Sequence, residues 1–500
     1  MKKRKRRAHQ VSYTAPTSQE KSYLDLLALW TLRILVRTPI QHRFFKSEGF
    51  EDDNIMETVG LEAVEPYDMT KKSMMAIFNK QLIHFEKRVA SKKCTLVRNI
   101  EALSKTLSLN PCERDILAIA VGASTEQVLQ DVFEYLGEIS KPVLKQVLCR
   151  ILEYSPAVIQ NALDRNSILV SSGFLKVTNF KDSFQDKLEV LDGLGDMLFQ
   201  QSIQPDEIFN HFFSMSEPPE LRLKQFSHVE TDISLLSSFL KATLKNKVKG
   251  VNVLIYGLPG TGKTQFVKSL AQTINTSLYE INVKDSDGEP LSGQARFSAY
   301  QLCQKILNNS SSLILFDEIE DVFPDPTFSF LLPEKDTNKG WTNQILETNP
   351  NPAFWLCNSI NQIDAAYKRR FDYVMEMKIP PMSVREQIIK ESLDGLDIDS
   401  GWIKHLSGND QISPALLRQS VNVTRLIKSE KAVNTQNTIK HNINNKLNMM
   451  GISKKIEPQS SESIEYSLEY LNPNTNLTEL VEGVSRSGRG RICLYGHSGT

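Results

Sequence analysis

Residues 251–264 read Val-Asn-Val-Leu-Ile-Tyr-Gly-Leu-Pro-Gly-Thr-Gly-Lys-Thr, and no other stretch constrains the fold of this 500-residue chain as strongly. An apolar, β-branched run enters a Gly-x-x-x-x-Gly-Lys-Thr turn, and an amphipathic segment follows. Strand, glycine turn, helix is the context in which that spacing makes a phosphate-binding loop. Gly257, Gly260 and Gly262, with Leu258, Pro259 and Thr261 between them, let the backbone curl so that its N–H groups face phosphate oxygens. Lys263 supplies a cation for the β- and γ-phosphates, and the Thr264 hydroxyl is placed to ligate Mg²⁺.

Four more apolar segments follow, with helical stretches between them: Leu278–Val283, Leu313–Asp317, Ala353–Asn358 and Tyr373–Ile379. With the strand before the loop they predict an α/β fold built on a five-stranded parallel sheet with helices on both faces. Ligands in such sheets bind beyond the carboxyl ends of the strands, so the residues there carry most weight. The third strand ends in Asp317-Glu318, 54 residues after Lys263. Asp317 is read as the Mg²⁺ partner opposite Thr264, and Glu318 as the group that polarises the attacking water. A strand that merely ends in acids is the plainer alternative. Asn358 closes the fourth strand, where an amide reaches both a γ-phosphate and the water, although Asn is also an ordinary turn residue. Arg369 and Arg370, adjacent just before the fifth strand, suit a role in trans in the site of a neighbouring subunit. The alternative is a surface cluster.

Together these residues resemble the AAA+ ATPases, and more closely the bacterial tandem-module type within the AAA family. The resemblance covers roughly residues 226–432 and implies ATP as ligand, Mg²⁺, hydrolysis, and a ring, usually of six, with nucleotide at subunit boundaries. It implies an α/β core over 226–381 and a small helical lid over 382–432. Position by position, Lys263 and Thr264 match Walker A, Asp317 and Glu318 match Walker B, Asn358 matches sensor 1, and Arg369 and Arg370 match the arginine-finger segment. Arg418 falls in the region of sensor 2. Two departures stand out. The segment 285–296 lacks the aromatic residue with which many relatives grip a threaded polypeptide. Near the end, Arg491-Ile-Cys-Leu-Tyr-Gly-His-Ser-Gly-Thr500 repeats a strand and the opening glycines Gly496 and Gly499, which is read as the truncated start of a second ATPase module over 471–500.

The rest of the chain is less specific. Residues 1–20 form a basic tail with six successive cations, Lys2 to Arg7; residues 21–225 read as a mostly helical N-terminal domain; and 433–470, rich in Asn, Lys and Ser, reads as a linker with a partly helical middle. Within the N-terminal domain, Lys141–Tyr154, Ser155–Arg165 and a hairpin over Ile168–Val177 have the order of a winged helix over 141–178. Its second helix is poor in basic residues, so a protein substrate or adaptor is favoured over nucleic acid as the partner. Lys+Arg and Asp+Glu are both 59, which removes any global charge argument for nucleic acid or membrane. The six cysteines have no framework spacing and read as buried thiols in a reducing, cytoplasmic compartment. The principal reading is an ATP-hydrolysing ring that remodels proteins. The alternatives are a nucleic-acid-associated ATPase and a nucleotide-sensing scaffold for a second, active module.

Overall fold

The computed structural model describes residues 18–46, 52–63, 70–90, 93–178, 182–200, 203–285, 288–323, 339–396, 398–428, 434–451, 456 and 476–487. The Lys2–Arg7 tail, residues 457–475 and the segment holding Gly496 and Gly499 lie outside them. The chain divides into two compact units, residues 1–388 with 413–415, and residues 389–412 with 416–500.

In the first unit, the mostly helical N-terminal region contains helices Ser18–Arg37, Lys71–Val89, Thr95–Leu107 and Gln127–Glu134. Thr95–Leu107, Gln127–Glu134 and, through Trp30, Ser18–Arg37 pack on a further helix, Pro111–Thr125, whose residues Ile116 to Ala123 are all buried, while Lys71–Val89 packs on Ser18–Arg37. A helix apolar on every side has no stripe to detect. Its start is marked instead by a capping box: Asn110 accepts from the Glu113 N–H at 3.0 Å, and Glu113 accepts from the Asn110 N–H at 2.8 Å. The buried Glu113 carboxylate also accepts from the Leu169 N–H at 3.2 Å, which helps satisfy a charge otherwise costly to bury. Arg33 and Arg37 bind Glu86 and Glu153 at 2.6–3.4 Å, clamping three helical segments together at their rim.

The hairpin expected over Ile168–Val177 needs correction. Helices Lys141–Leu152 and Pro156–Ala162 are present, but Ile168–Ser171 is a helical turn and not a strand. The Ser167 hydroxyl accepts from the Val170 N–H at 3.2 Å and starts that turn. Strand β1, Leu175–Val177, pairs antiparallel with a later β2, Leu188–Val190. Helix Pro156–Ala162 carries no Lys or Arg.

The central sheet contains β3 (Phe213–Met215), β4 (Asn252–Tyr256), β5 (Ser277–Ile281), β6 (Ser312–Phe316), β7 (Ala353–Cys357) and β8 (Tyr373–Glu376), in the order β3-β5-β6-β7-β4-β8. The five expected strands are present and parallel; β3, three residues long, adds an antiparallel edge beside β5. The period-2 pleat sorts the strand residues into two layers. Val253, Ile255, Leu313, Leu315, Phe354 and Leu356 face helices Glu230–Asn246 and Lys263–Thr273 through Leu236, Leu240, Phe266 and Leu270. Leu254, Ile314, Phe316, Trp355 and Cys357 face the other way, into the apolar core that continues through the N-terminal helices. Each such side chain, buried, contributes about 1.5–3 kcal/mol. No separate core therefore marks position 225; the N-terminal region is built onto one face of the sheet.

Helix Gly293–Ile306 lies in this second layer, with Ala295 through Gln304 all buried. Polar groups there are satisfied individually. The Asn252 amide donates to the carbonyls of Gly250 and Leu346, and its oxygen accepts from the Trp355 indole at 3.0 Å.

The second unit has its own core: Ile389, Trp402, Ile403, Leu406, Leu416, Leu417 and Val421, together with Ile439, Ile443 and Leu447. The last three belong to helix Thr435–Met449, inside the region read as a linker. Four-residue spacing puts them on one helical face, which the surrounding Asn and Lys residues obscure in composition. Arg418 lies on helix Pro414–Lys428. No helix among the described residues is long and apolar enough to cross a membrane.

Candidate active site

β4 runs straight into the loop and helix Lys263–Thr273 leaves it, as the motif requires. Gly257 has φ +151°, and a Cβ there would lie 2.2 Å from the Met377 carbonyl oxygen, so no side chain fits without moving the backbone after β8. Gly262 has φ +95° and comes within 3.3 Å of the Phe226 ring in the same sense. Thr261 is buried and its hydroxyl donates to the Leu258 carbonyl at 2.9 Å, closing the turn, while Leu258 and Pro259 face solvent. The helix that follows directs its first N–H groups and its positive end into the loop.

Lys263 is buried at 7% exposure. Its ammonium donates to the carbonyls of Gly257 at 2.6 Å and Leu258 at 3.3 Å, and to Asn358 Oδ1 at 3.0 Å. Burial lowers its pKa from the ordinary lysine value, and nearby Asp317, Cys357, Glu320 and Glu318 pull it back upward. The Thr264 hydroxyl donates to Asp317 Oδ2 at 2.7 Å. The structure thus joins four of the expected residues in two contacts: Lys263 with Asn358, and Thr264 with Asp317. The hydroxyl and carboxylate present hard oxygen donors side by side, a set that fits Mg²⁺ shared with phosphate groups.

Glu318 is exposed, one residue beyond Asp317, with φ +54°. Its N–H donates to Asp317 Oδ1 at 2.9 Å. Two residues here were not anticipated. Glu320 accepts from the Asn358 N–H at 2.5 Å and fixes the end of β7; its only trace in sequence is a third acid close behind Asp317. Arg296, 1% exposed, reaches the carbonyls of Asp317 and Glu318 from helix Gly293–Ile306. An arginine inside an otherwise buried helical stretch was the signal available for it.

Arg369 and Arg370 are not part of this cluster. They are exposed and precede β8, which runs parallel to β4, so they lie at the edge of the sheet opposite the loop. Arg370 pairs with Glu347 at 2.5 Å. Asp372 anchors this edge by accepting from the Asn252 N–H at 2.8 Å. A cavity of about 930 Å³ between the β1–β2 hairpin and helix Gly293–Ile306 has no loop residue in its lining and plays no part in this site.

This fold and this cluster define a P-loop nucleotide-hydrolase domain. Residues 253–379 match the family described as ATPase family associated with various cellular activities (AAA), and the chain carries an AAA domain over them. It is 28% identical over 160 residues to a 26S proteasome regulatory subunit homolog of Methanothermobacter marburgensis, covering 30% of this chain and 41% of that protein. It is 23% identical over 369 residues to a proteasome-activating nucleotidase of Sulfurisphaera tokodaii, covering 63% of this chain and 91% of that protein. A chain in the solved E. coli MS115-1 HORMA:CdnC:Trip13 complex is similar at 16% identity and a TM-score of 0.34, covering 47% of this chain and 96% of that one, too weak a likeness to carry an argument.

Proposed function

We propose that this chain is an ATP-hydrolysing subunit of an oligomeric ring, six-membered by family resemblance, that remodels protein assemblies in the cytoplasm. The observation that carries the reading is the convergence of Lys263, Thr264, Asp317 and Asn358 at the carboxyl ends of three parallel strands. Lys263 exchanges its carbonyl and amide partners for phosphate oxygens, and Asn358, released from Lys263, is free to orient the γ-phosphate and the water. Mg²⁺, held by Thr264 and Asp317, supplies neutralisation of phosphate charge. Glu318 takes up the proton of the attacking water.

The paired arginines support the ring. The five residues of β4 set them roughly 15 Å of strand away from their own loop, farther than an arginine side chain extends. That placement suits action on a neighbour's nucleotide. Work on proteins is favoured by the match to a proteasome-activating nucleotidase over most of that protein, with the helical N-terminal region as the contact for substrate or adaptor. The loop 282–292 between β5 and helix Gly293–Ile306 supplies no aromatic side chain, which favours local rearrangement of an assembly over extended threading.

Phosphate release per subunit is expected to rise with protein concentration as subunits complete each other's sites. Arg369→Ala and Arg370→Ala, measured separately, identify the finger: loss of the true one lowers the plateau by up to about 10³-fold with ATP affinity kept. A rate per subunit that stays flat from dilute protein upward contradicts the ring.

A further inference from the structure

We propose that Arg296 is a positioning residue for hydrolysis, holding the Asp317–Glu318 turn in the geometry from which Glu318 acts on water. The proposal rests on the role given to Glu318 above. Asp317 and Glu318 are the first residues past β6, where their carbonyls leave the sheet ladder. Arg296 Nη1 donates to the Glu318 carbonyl at 3.0 Å and Nη2 donates to the Asp317 carbonyl, so one planar fork spans two successive peptides. The guanidinium also lies 4.6 Å from the centre of the Phe316 ring, at the last residue of the strand.

Glu318 sits at φ +54° and ψ +61°, a left-handed conformation uncommon for a residue with a side chain. Such backbone persists where its surroundings hold it, and Arg296 is bonded to both sides of it. The fork is itself held. Ser298, on the same helix, packs so closely on Gly173 of the N-terminal region that a Cβ at Gly173 would lie 2.5 Å from the Ser298 carbonyl oxygen. Further along, Gln304 donates to the Asn351 carbonyl at 2.9 Å and accepts from the Asn351 N–H at 3.0 Å. The placement of Glu318 is thereby tied, through Arg296, to a helix gripped by the N-terminal region on one side and the sheet on the other.

The test uses Arg296→Gln and Arg296→Lys in the whole chain, beside wild type and Glu318→Gln. The measurements are kcat at saturating ATP, Kd for a fluorescent ATP analogue, and melting temperature. The expected result is a fall in kcat of roughly 10²-fold for Arg296→Gln, with Kd changed by no more than about twofold. Arg296→Lys recovers only part of the rate, because a point ammonium cannot reproduce the fork. Adding Arg296→Gln to Glu318→Gln costs no further rate, since both act on one step. Should Arg296→Gln fail to fold, Arg296→Lys carries the same expectation of lowered kcat at unchanged Kd. Folded variants with wild-type kcat overturn the proposal, and so does a kcat that falls only in step with Kd and melting temperature. If Glu318→Gln is as active as wild type, the role of Glu318 itself fails; if Glu318→Gln is inactive and the Arg296 variants are not, only this proposal does.

Discussion

Glu318→Gln is expected to keep ATP bound and lower its turnover by roughly 10²–10⁴-fold, the usual contribution of a positioned general base. The contacts proposed to bind MgATP come from 257–264, Asp317 and Asn358, while Glu318 sits exposed beyond β6. Its backbone is held by Asp317 and Arg296 through main-chain atoms, so the amide variant keeps the turn and loses only proton affinity. Equilibrium binding beside phosphate release separates the two effects. Turnover within a few-fold of wild type would require another base. Glu320 is the nearest rival in sequence, but its carboxylate is engaged by the Asn358 N–H at 2.5 Å.

Lys263→Ala is expected to abolish the stabilisation that nucleotide gives. At a ligand concentration 100-fold above Kd, binding to the folded state adds about 2.7 kcal/mol. For a unit of about 390 residues that corresponds to a rise in melting temperature of roughly 3 °C. Lys263 is the cation aimed into the loop, and without it Asn358 and the Gly257 carbonyl lose the donor they share. Thermal melts with and without MgATP should show the rise in wild type and none in the variant. An equal rise in both would place the nucleotide elsewhere.

The loop was legible because its chemistry is local: glycine geometry and one Lys-Thr pair decide it within eight residues. The five parallel strands were legible because buried strands are apolar throughout and are set apart by helices of another period. Features that depend on distant partners were not. The short run Ile168–Val170 fits strand or helix equally, and a hydroxyl at Ser167 decided for helix. β3 has three residues and exists by pairing with β5. Helix Pro111–Thr125 lacks a polar face, and Thr435–Met449 shows its apolar face only beside its own core. In the site, Asp317 and Asn358 were found by their place at strand ends. Arg296 acts across 21 and 22 residues of chain on main-chain carbonyls, which no side-chain motif records.

The central claim is that Lys263, Thr264, Asp317 and Glu318 make one ATP-hydrolysing centre. Its most direct test is phosphate release from ATP by the purified protein, with Mg²⁺ as the only divalent cation and again after chelation, at concentrations high enough for subunits to associate. Continuous release that stops on chelation is the predicted result. ATP recovered intact from the wild-type protein in the presence of Mg²⁺ would contradict it.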